Sequence, residues 1–64
     1  MKNRLRDYRQ QRCLSQQALA DALGVSRQTI MSIEKGRYVP SRPLTFQLAQ
    51  KFNCRSENLF IYND

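Results

Sequence analysis

Residues 15–35 read SQQALADALGVSRQTIMSIEK, and their punctuation decides the architecture. Ser15 stands where a helix needs a cap, because its hydroxyl accepts a backbone N–H that the first turn leaves unpaired. From Gln16 onward, Leu19, Ala20 and Leu23 recur at the spacing of a single helix face. Gly24 follows at once and can take the left-handed conformation that closes a helix. Ser26 then offers a second cap, and another helical stretch runs through Lys35 to a stop at Gly36. Only Gly24-Val25-Ser26 joins the two helices, too short a connection for antiparallel packing, so they must cross steeply. The small side chain of Ala20 lets them approach closely.

Working outward, Leu5 and Tyr8 lie three apart in a helical stretch over Asn3 to Arg12, with four arginines around them. Leu14 turns inward just before Ser15. On the other side, Ser41 precedes a helix that accepts Pro43 in its first turn and buries Leu44, Leu48, Ala49 and Phe52. A short fifth helix is expected around Ser56–Phe60. Strand-like alternation, repeats, linkers and low-complexity stretches are all missing from the sequence. The expectation is one all-α domain of five helices over residues 1–64.

Composition narrows the function classes. The chain has 64 residues, so one small core is all it can build. Cys13 and Cys54 are too few for a disulfide framework; they read as a turn residue and a small buried apolar residue. With no His and no CxxC pair, a tetrahedral zinc site lacks ligands, and no metal or other cofactor is expected. The longest apolar run, Leu59 to Tyr62, is four residues, far short of a membrane span. A soluble protein of the reducing cytoplasm is expected, with no membrane partner. No nucleophile–base pair or phosphate-cradling glycine loop is present, so an enzyme is not expected.

The charge is unevenly placed. Residues 1–42 hold nine basic side chains and three acids, whereas residues 43–64 hold Lys51 and Arg55 against Glu57 and Asp64. The whole formal +6 therefore lies in the first two thirds of the chain, as suits a polyanion on one side only. Helix periodicity sharpens this on the stretch from Arg27 to Lys35. With Arg27 at zero and about 100° per residue, Ile33 and Ile30 fall on the inner side. Arg27, Met31, Lys35, Gln28 and Ser32 span an outward arc of about 140°, and Glu34 lies off it. An arginine, a glutamine, a serine and a lysine on one arc suit phosphates and base edges. Two helices crossing steeply, the second with such a face, form a helix-turn-helix whose second helix enters the DNA major groove.

The segments LSQQALADALGVSRQTI (14–30), IEKGRYVPS (33–41), LAQKF (48–52) and ENLF (57–60) resemble the lambda-repressor-like, Cro-type (XRE) helix-turn-helix regulators. The resemblance covers residues 5–60 and is closest to the family's small single-domain prokaryotic members. It implies base contacts from Arg27, Gln28, Ser32 and Thr29, of which helix periodicity sets Thr29 nearer the core side. Chemically, Arg27 suits guanine O6/N7 and Gln28 adenine N6/N7. Met31 fits either a thymine methyl or a gap in the packing. The resemblance further implies contacts to the DNA backbone from Gln16, Lys35, Arg37, Tyr38, Arg42 and Arg9, which fix register and not sequence. Because the family sets an arginine late in the first helix opposite a glutamate late in the third, an Arg9–Glu34 ion pair is expected. That pair would give Arg9 a structural role ahead of a phosphate contact.

Departures from the family pattern fall outside the reading face. Cys13 stands where glycine or asparagine is common, and a left-handed backbone there carries strain. Asn53 replaces a frequent glycine, and Arg55 stands where a serine usually caps the fifth helix. In the neutral tail, Phe60, Ile61 and Tyr62 are expected at a symmetric dimer contact within residues 57–64, as a helix extension or a short C-terminal strand. Leu59 and Phe60 also suit the protomer's own core. Such a dimer would set two recognition helices on half-sites about 34 Å apart. The leading function is a sequence-specific transcriptional regulator, a repressor binding a palindromic operator in double-stranded DNA as a homodimer. The competing class is an antitoxin or other protein-interaction module with secondary DNA binding; it needs a toxin-binding surface, for which the chain has little to spare.

Overall fold

The computed structural model describes residues 2–61. It contains α1 (Leu5–Gln11), α2 (Gln16–Leu23), α3 (Arg27–Glu34), α4 (Arg42–Lys51) and α5 (Ser56–Leu59). Helix α2 packs on α3 and α4, α1 on α3, and α5 on α4. The shared core is aliphatic and aromatic: Leu5 of α1, Leu19 and Ala20 of α2, Ile30 and Ile33 of α3, Leu48 and Phe52 around α4, and Leu59 and Phe60 at the end. Ala20 is fully buried, which lets α2 and α3 cross closely. Leu14 and Tyr8 pack against this core from the side.

Serine caps start three of the helices. Ser15 Oγ accepts from Ala18 N–H at 2.9 Å, Ser26 Oγ from Thr29 N–H at 3.2 Å, and Ser41 Oγ from Leu44 N–H at 3.3 Å. Each bond satisfies a donor that the first turn cannot. At α5 the cap position is Arg55, which has no acceptor to offer. The helix nevertheless begins there, because Asn58 Oδ1 reaches back to accept Arg55 N–H at 3.1 Å.

One device ends α1 through α4. At each exit a residue adopts positive φ: Cys13 (55°), Gly24 (71°), Gly36 (75°) and Asn53 (51°). Each time the next N–H reaches a carbonyl five residues back: Leu14 to Arg9, Val25 to Ala20, Arg37 to Ser32, and Cys54 to Ala49. Carbonyls left open at the helix end are thereby paired. Two glycines serve two of these exits at little cost, while Cys13 and Asn53 hold the same shape with a side chain in the way.

The ends of the chain depart from the expected pattern. Helix α1 starts at Leu5, not Asn3, because residues 2–4 are drawn out against the tail. Arg4 N–H donates to Leu59 O at 2.7 Å and Ile61 N–H to Lys2 O at 2.9 Å, framing an antiparallel bridge between Asn3 and Phe60. The short C-terminal extended piece thus pairs with its own N-terminal segment. Phe60 is 2% exposed and belongs to the core of its own chain, which removes it from the expected dimer contact. The bridge aims its ring inward, since φ −116° and ψ 138° turn the chain out of the helix there. Ile61 stays on the surface, and Tyr62 lies outside the described residues.

A pair of substitutions tests the exits. A Cβ built on Gly24 meets nothing within 4 Å, so Gly24→Ala is opposed by backbone conformation alone. It should cost about 1 kcal/mol of unfolding free energy. Cys13→Gly should move stability the other way, by about 0.5–1 kcal/mol once the glycine's extra unfolded-state entropy is subtracted. Urea titrations of both variants measure the signs.

Candidate nucleic-acid interface

The face of α3 is set by what lies beneath it. Ile30 and Ile33 are fully buried, so the helix cannot roll about its axis. Arg27 and Gln28, its first two residues, are exposed, and Ser32 and Met31 are half-buried along the same side. Thr29 is half-buried, and its Oγ1 lies 3.0 Å from Ser26 Oγ, which ties the hydroxyl to the cap. Lys35, Arg37, Tyr38 and Arg42 follow as exposed side chains on the end of α3, the loop and the first residue of α4. An exposed polar and basic strip thus runs from the start of α3 to the start of α4.

An ion pair holds α3 in place. Arg9 Nε donates to Glu34 Oε2 at 2.6 Å and Nη2 to Glu34 Oε1 at 3.3 Å. Arg9 Nη1 donates to Leu14 O at 2.8 Å, and Gln16 Nε2 donates to Glu34 Oε1 at 3.1 Å. The two charged side chains are only 11% and 5% exposed. Glu34 therefore joins α1, the start of α2 and the end of α3 in one hydrogen-bonded knot. Gln16 is half-buried by it, with one amide proton committed and the other left. Of the basic residues expected at the DNA backbone, Arg9 is the one drawn inward.

Several residues of this surface escaped the sequence analysis. Arg6 shares with Arg9, Ser15, Gln16, Met31, Glu34 and Lys35 an open pocket of about 490 Å³ between α1, α2 and α3. Its signal was present, since Arg6 and Arg9 are three apart and so lie on one face of a helix. Asn3 has a clasp role that no periodicity marks: its Nδ2 donates to Ile33 O at 2.7 Å and its Oδ1 accepts Leu5 N–H at 3.2 Å. Arg12 lies over the Phe52 ring at 5.7 Å and donates to Phe52 O at 3.2 Å, so it too serves the fold. Phe52 also meets Tyr8, ring centroids 5.9 Å apart. Beside them, burial raises the Cys54 thiol above its ordinary pKa, against smaller opposing effects of Tyr8 and Arg12.

A family model described as helix-turn-helix (HTH_3) matches residues 5–59 of this chain. The chain belongs to the XRE-type helix-turn-helix family. An uncharacterized HTH-type transcriptional regulator of Methanocaldococcus jannaschii is 53% identical over 64 residues, covering all of this chain and 97% of the relative. One of Archaeoglobus fulgidus is 44% identical over 64 residues, covering all of this chain and 91% of the relative. The regulator YgzD of Bacillus subtilis is 40% identical over 60 residues, 94% of this chain and 91% of its own. The helix-turn-helix assignment and the all-α fold follow from the match and from the five helices. Among the described residues no helix is long and apolar enough to cross a membrane.

The ion pair carries a testable consequence. Glu34→Gln leaves Arg9 nearly buried without its counter-charge, and such losses cost about 3 kcal/mol. Its thermal midpoint should fall well below that of the parent chain. At a temperature where both remain folded, DNA affinity should fall as α3 loosens. Unchanged stability together with unchanged affinity would show that the pair holds nothing.

Proposed function

We propose that this chain is a sequence-specific transcriptional regulator, a repressor that occupies promoter DNA. It binds a palindromic operator as a dimer, with α3 of each protomer in the major groove. The observation that carries this reading is the exposure of Arg27 and Gln28 at the start of a helix whose other face is locked by Ile30, Ile33 and Glu34. A rigid helix presenting a guanidinium and an amide offers the two side chains that pair bidentately with guanine and adenine. Ser32 lies one turn further along, with Thr29 in a supporting place beside the cap. Gln16, Lys35, Arg37, Tyr38 and Arg42 hold the backbone and set register, while Arg9 acts through Glu34 and Gln16.

Selection of bound duplexes from random DNA tests the base contacts. Arg27→Ala and Gln28→Ala should each relax preference at one defined position per half-site, costing about 1–3 kcal/mol there. A uniform loss across all sequences would demote these residues to backbone contacts.

The dimer surface is drawn from charge and exposure. Residues 1–42 carry the whole +6 and residues 43–64 none, so two copies meet with least repulsion along the neutral third. Among the described residues of that third, Phe46, 66% exposed, and Ile61, 37% exposed, are the large apolar side chains that stand out. Phe46 borders a shallow groove with Pro43, Arg42 and Ser56. Replacing Phe46 with Glu and deleting residues 61–64 should together shift sedimentation to the monomer and weaken operator binding, with helicity retained. A sedimentation profile untouched by both changes would move the contact elsewhere.

A further inference from the structure

We propose that Asn3 is a positioning residue through which the C-terminal tail holds the exit of α3, where Lys35 and Arg37 leave the recognition helix. This rests on the DNA-binding reading above and adds to it a link between the two chain ends and the DNA face. Asn3 belongs to no helix, yet three segments meet on it. Its Nδ2 donates to Ile33 O at 2.7 Å, and its Oδ1 accepts Leu5 N–H at 3.2 Å. Its main chain is bridged to Phe60. On one side of that bridge Arg4 N–H donates to Leu59 O at 2.7 Å, and on the other Ile61 N–H donates to Lys2 O at 2.9 Å.

The side chain has one way to make both of its bonds. Turning the amide over would set its NH2 against Leu5 N–H and its oxygen against Ile33 O, so the two partners fix its orientation. Those partners are themselves fixed, because Leu5 and Ile33 are fully buried. The tail is anchored as firmly, with Leu59 fully buried and Phe60 2% exposed. In the bridge the hydrogen bonds flank Asn3 and Phe60 instead of joining them, the register in which facing side chains approach most closely. At α3 the amide meets a carbonyl of the last turn. The same Ile33 O accepts Gly36 N–H at 2.9 Å, and Gly36 stands between Lys35 and Arg37 at positive φ. Glu34 therefore ties α3 to α1 and α2, whereas Asn3 ties its last turn to the tail.

Hydrogen exchange and DNA binding on the full chain test both links. Asn3→Ser keeps an acceptor for Leu5 N–H but is too short to reach Ile33 O as well. In this variant Gly36 N–H should exchange about 2–10-fold faster than in the parent, the factor that one hydrogen bond is worth. Thr29 N–H, at the other end of α3, should exchange as before. A merely structural role would speed both amides by one common factor, or neither, and either result overturns the proposal. At a temperature where melts show both chains folded, Asn3→Ser should bind the selected duplex about 2–10-fold more weakly, with base preference intact. In a background carrying Lys35→Ala and Arg37→Ala that loss should vanish, because those side chains transmit it. An equal loss in both backgrounds overturns the proposal as well.

The tail is tested separately. Ile61→Pro removes the donor to Lys2 O, and the extended Phe60 before it, at φ −116° and ψ 138°, accommodates a following proline. It should speed Gly36 exchange in the same direction, whereas Ile61→Ala, which keeps the N–H, should not. Unaltered Gly36 exchange in Ile61→Pro severs the tail from α3 and overturns the proposal, even where Asn3→Ser fails to hold its fold. The exchange measurements need no DNA. A parent chain that binds no duplex thus overturns the DNA-binding reading, while the clasp stands or falls on exchange.

Discussion

Glu34 is the point at which three segments are tied. One carboxylate accepts from Arg9 of α1 and Gln16 of α2 while sitting on the last residue of α3. Domains of this size have little stability to spare, and a nearly buried ion pair that lost either member would be a heavy burden. Retaining it makes sense as a constraint on orientation. The apolar core sets how deep α3 sits, since Ile30 and Ile33 would slide in many directions at similar cost. Directional hydrogen bonds to Glu34 choose one of those positions. From that choice follow the outward aim of Arg27 and Gln28, the place of Gln16 and the shape of the pocket beside Arg6.

The same knot divides the basic side chains by job. Arg9 is internal, and Arg12 stacks on Phe52 and caps its carbonyl. Both count in the net charge yet have their guanidinium groups occupied by the fold. Of the exposed basic side chains, Arg6 and Lys35 line the pocket, and Arg27, Arg37 and Arg42 lie on α3, its following loop and the start of α4. A chain can therefore be strongly basic while only part of that basicity is available to a polyanion.

Legibility differed sharply between kinds of residue. Capping serines, glycine stops and the apolar stripes of α2 to α4 depend on interactions within about five residues, and they stood where local chemistry put them. The left-handed turn at Cys13 was legible too, as a position whose demand the residue meets poorly. The start of α1 was not. Asn3 and Arg4 carry no mark of being extended, because their partners are Phe60 and Leu59 at the far end of the chain. Phe60 suited both the core and a dimer contact, and the same long-range pairing accompanies its place in the core.

By itself the sequence determined the helix-turn-helix, its caps and turn, the face of α3 and the partition of charge, all consequences of short-range geometry and side-chain chemistry. Tertiary structure alone decided that Arg12 lies over a ring and donates to a carbonyl forty residues away, since no local pattern places Phe52 beside it. It also decided the fate of the tail, which pairs with residues 2–4 in place of extending α5. Such contacts join positions more than fifty apart in the chain. No local pattern encodes them, because each is settled by which backbone groups remain unpaired once the helices have packed.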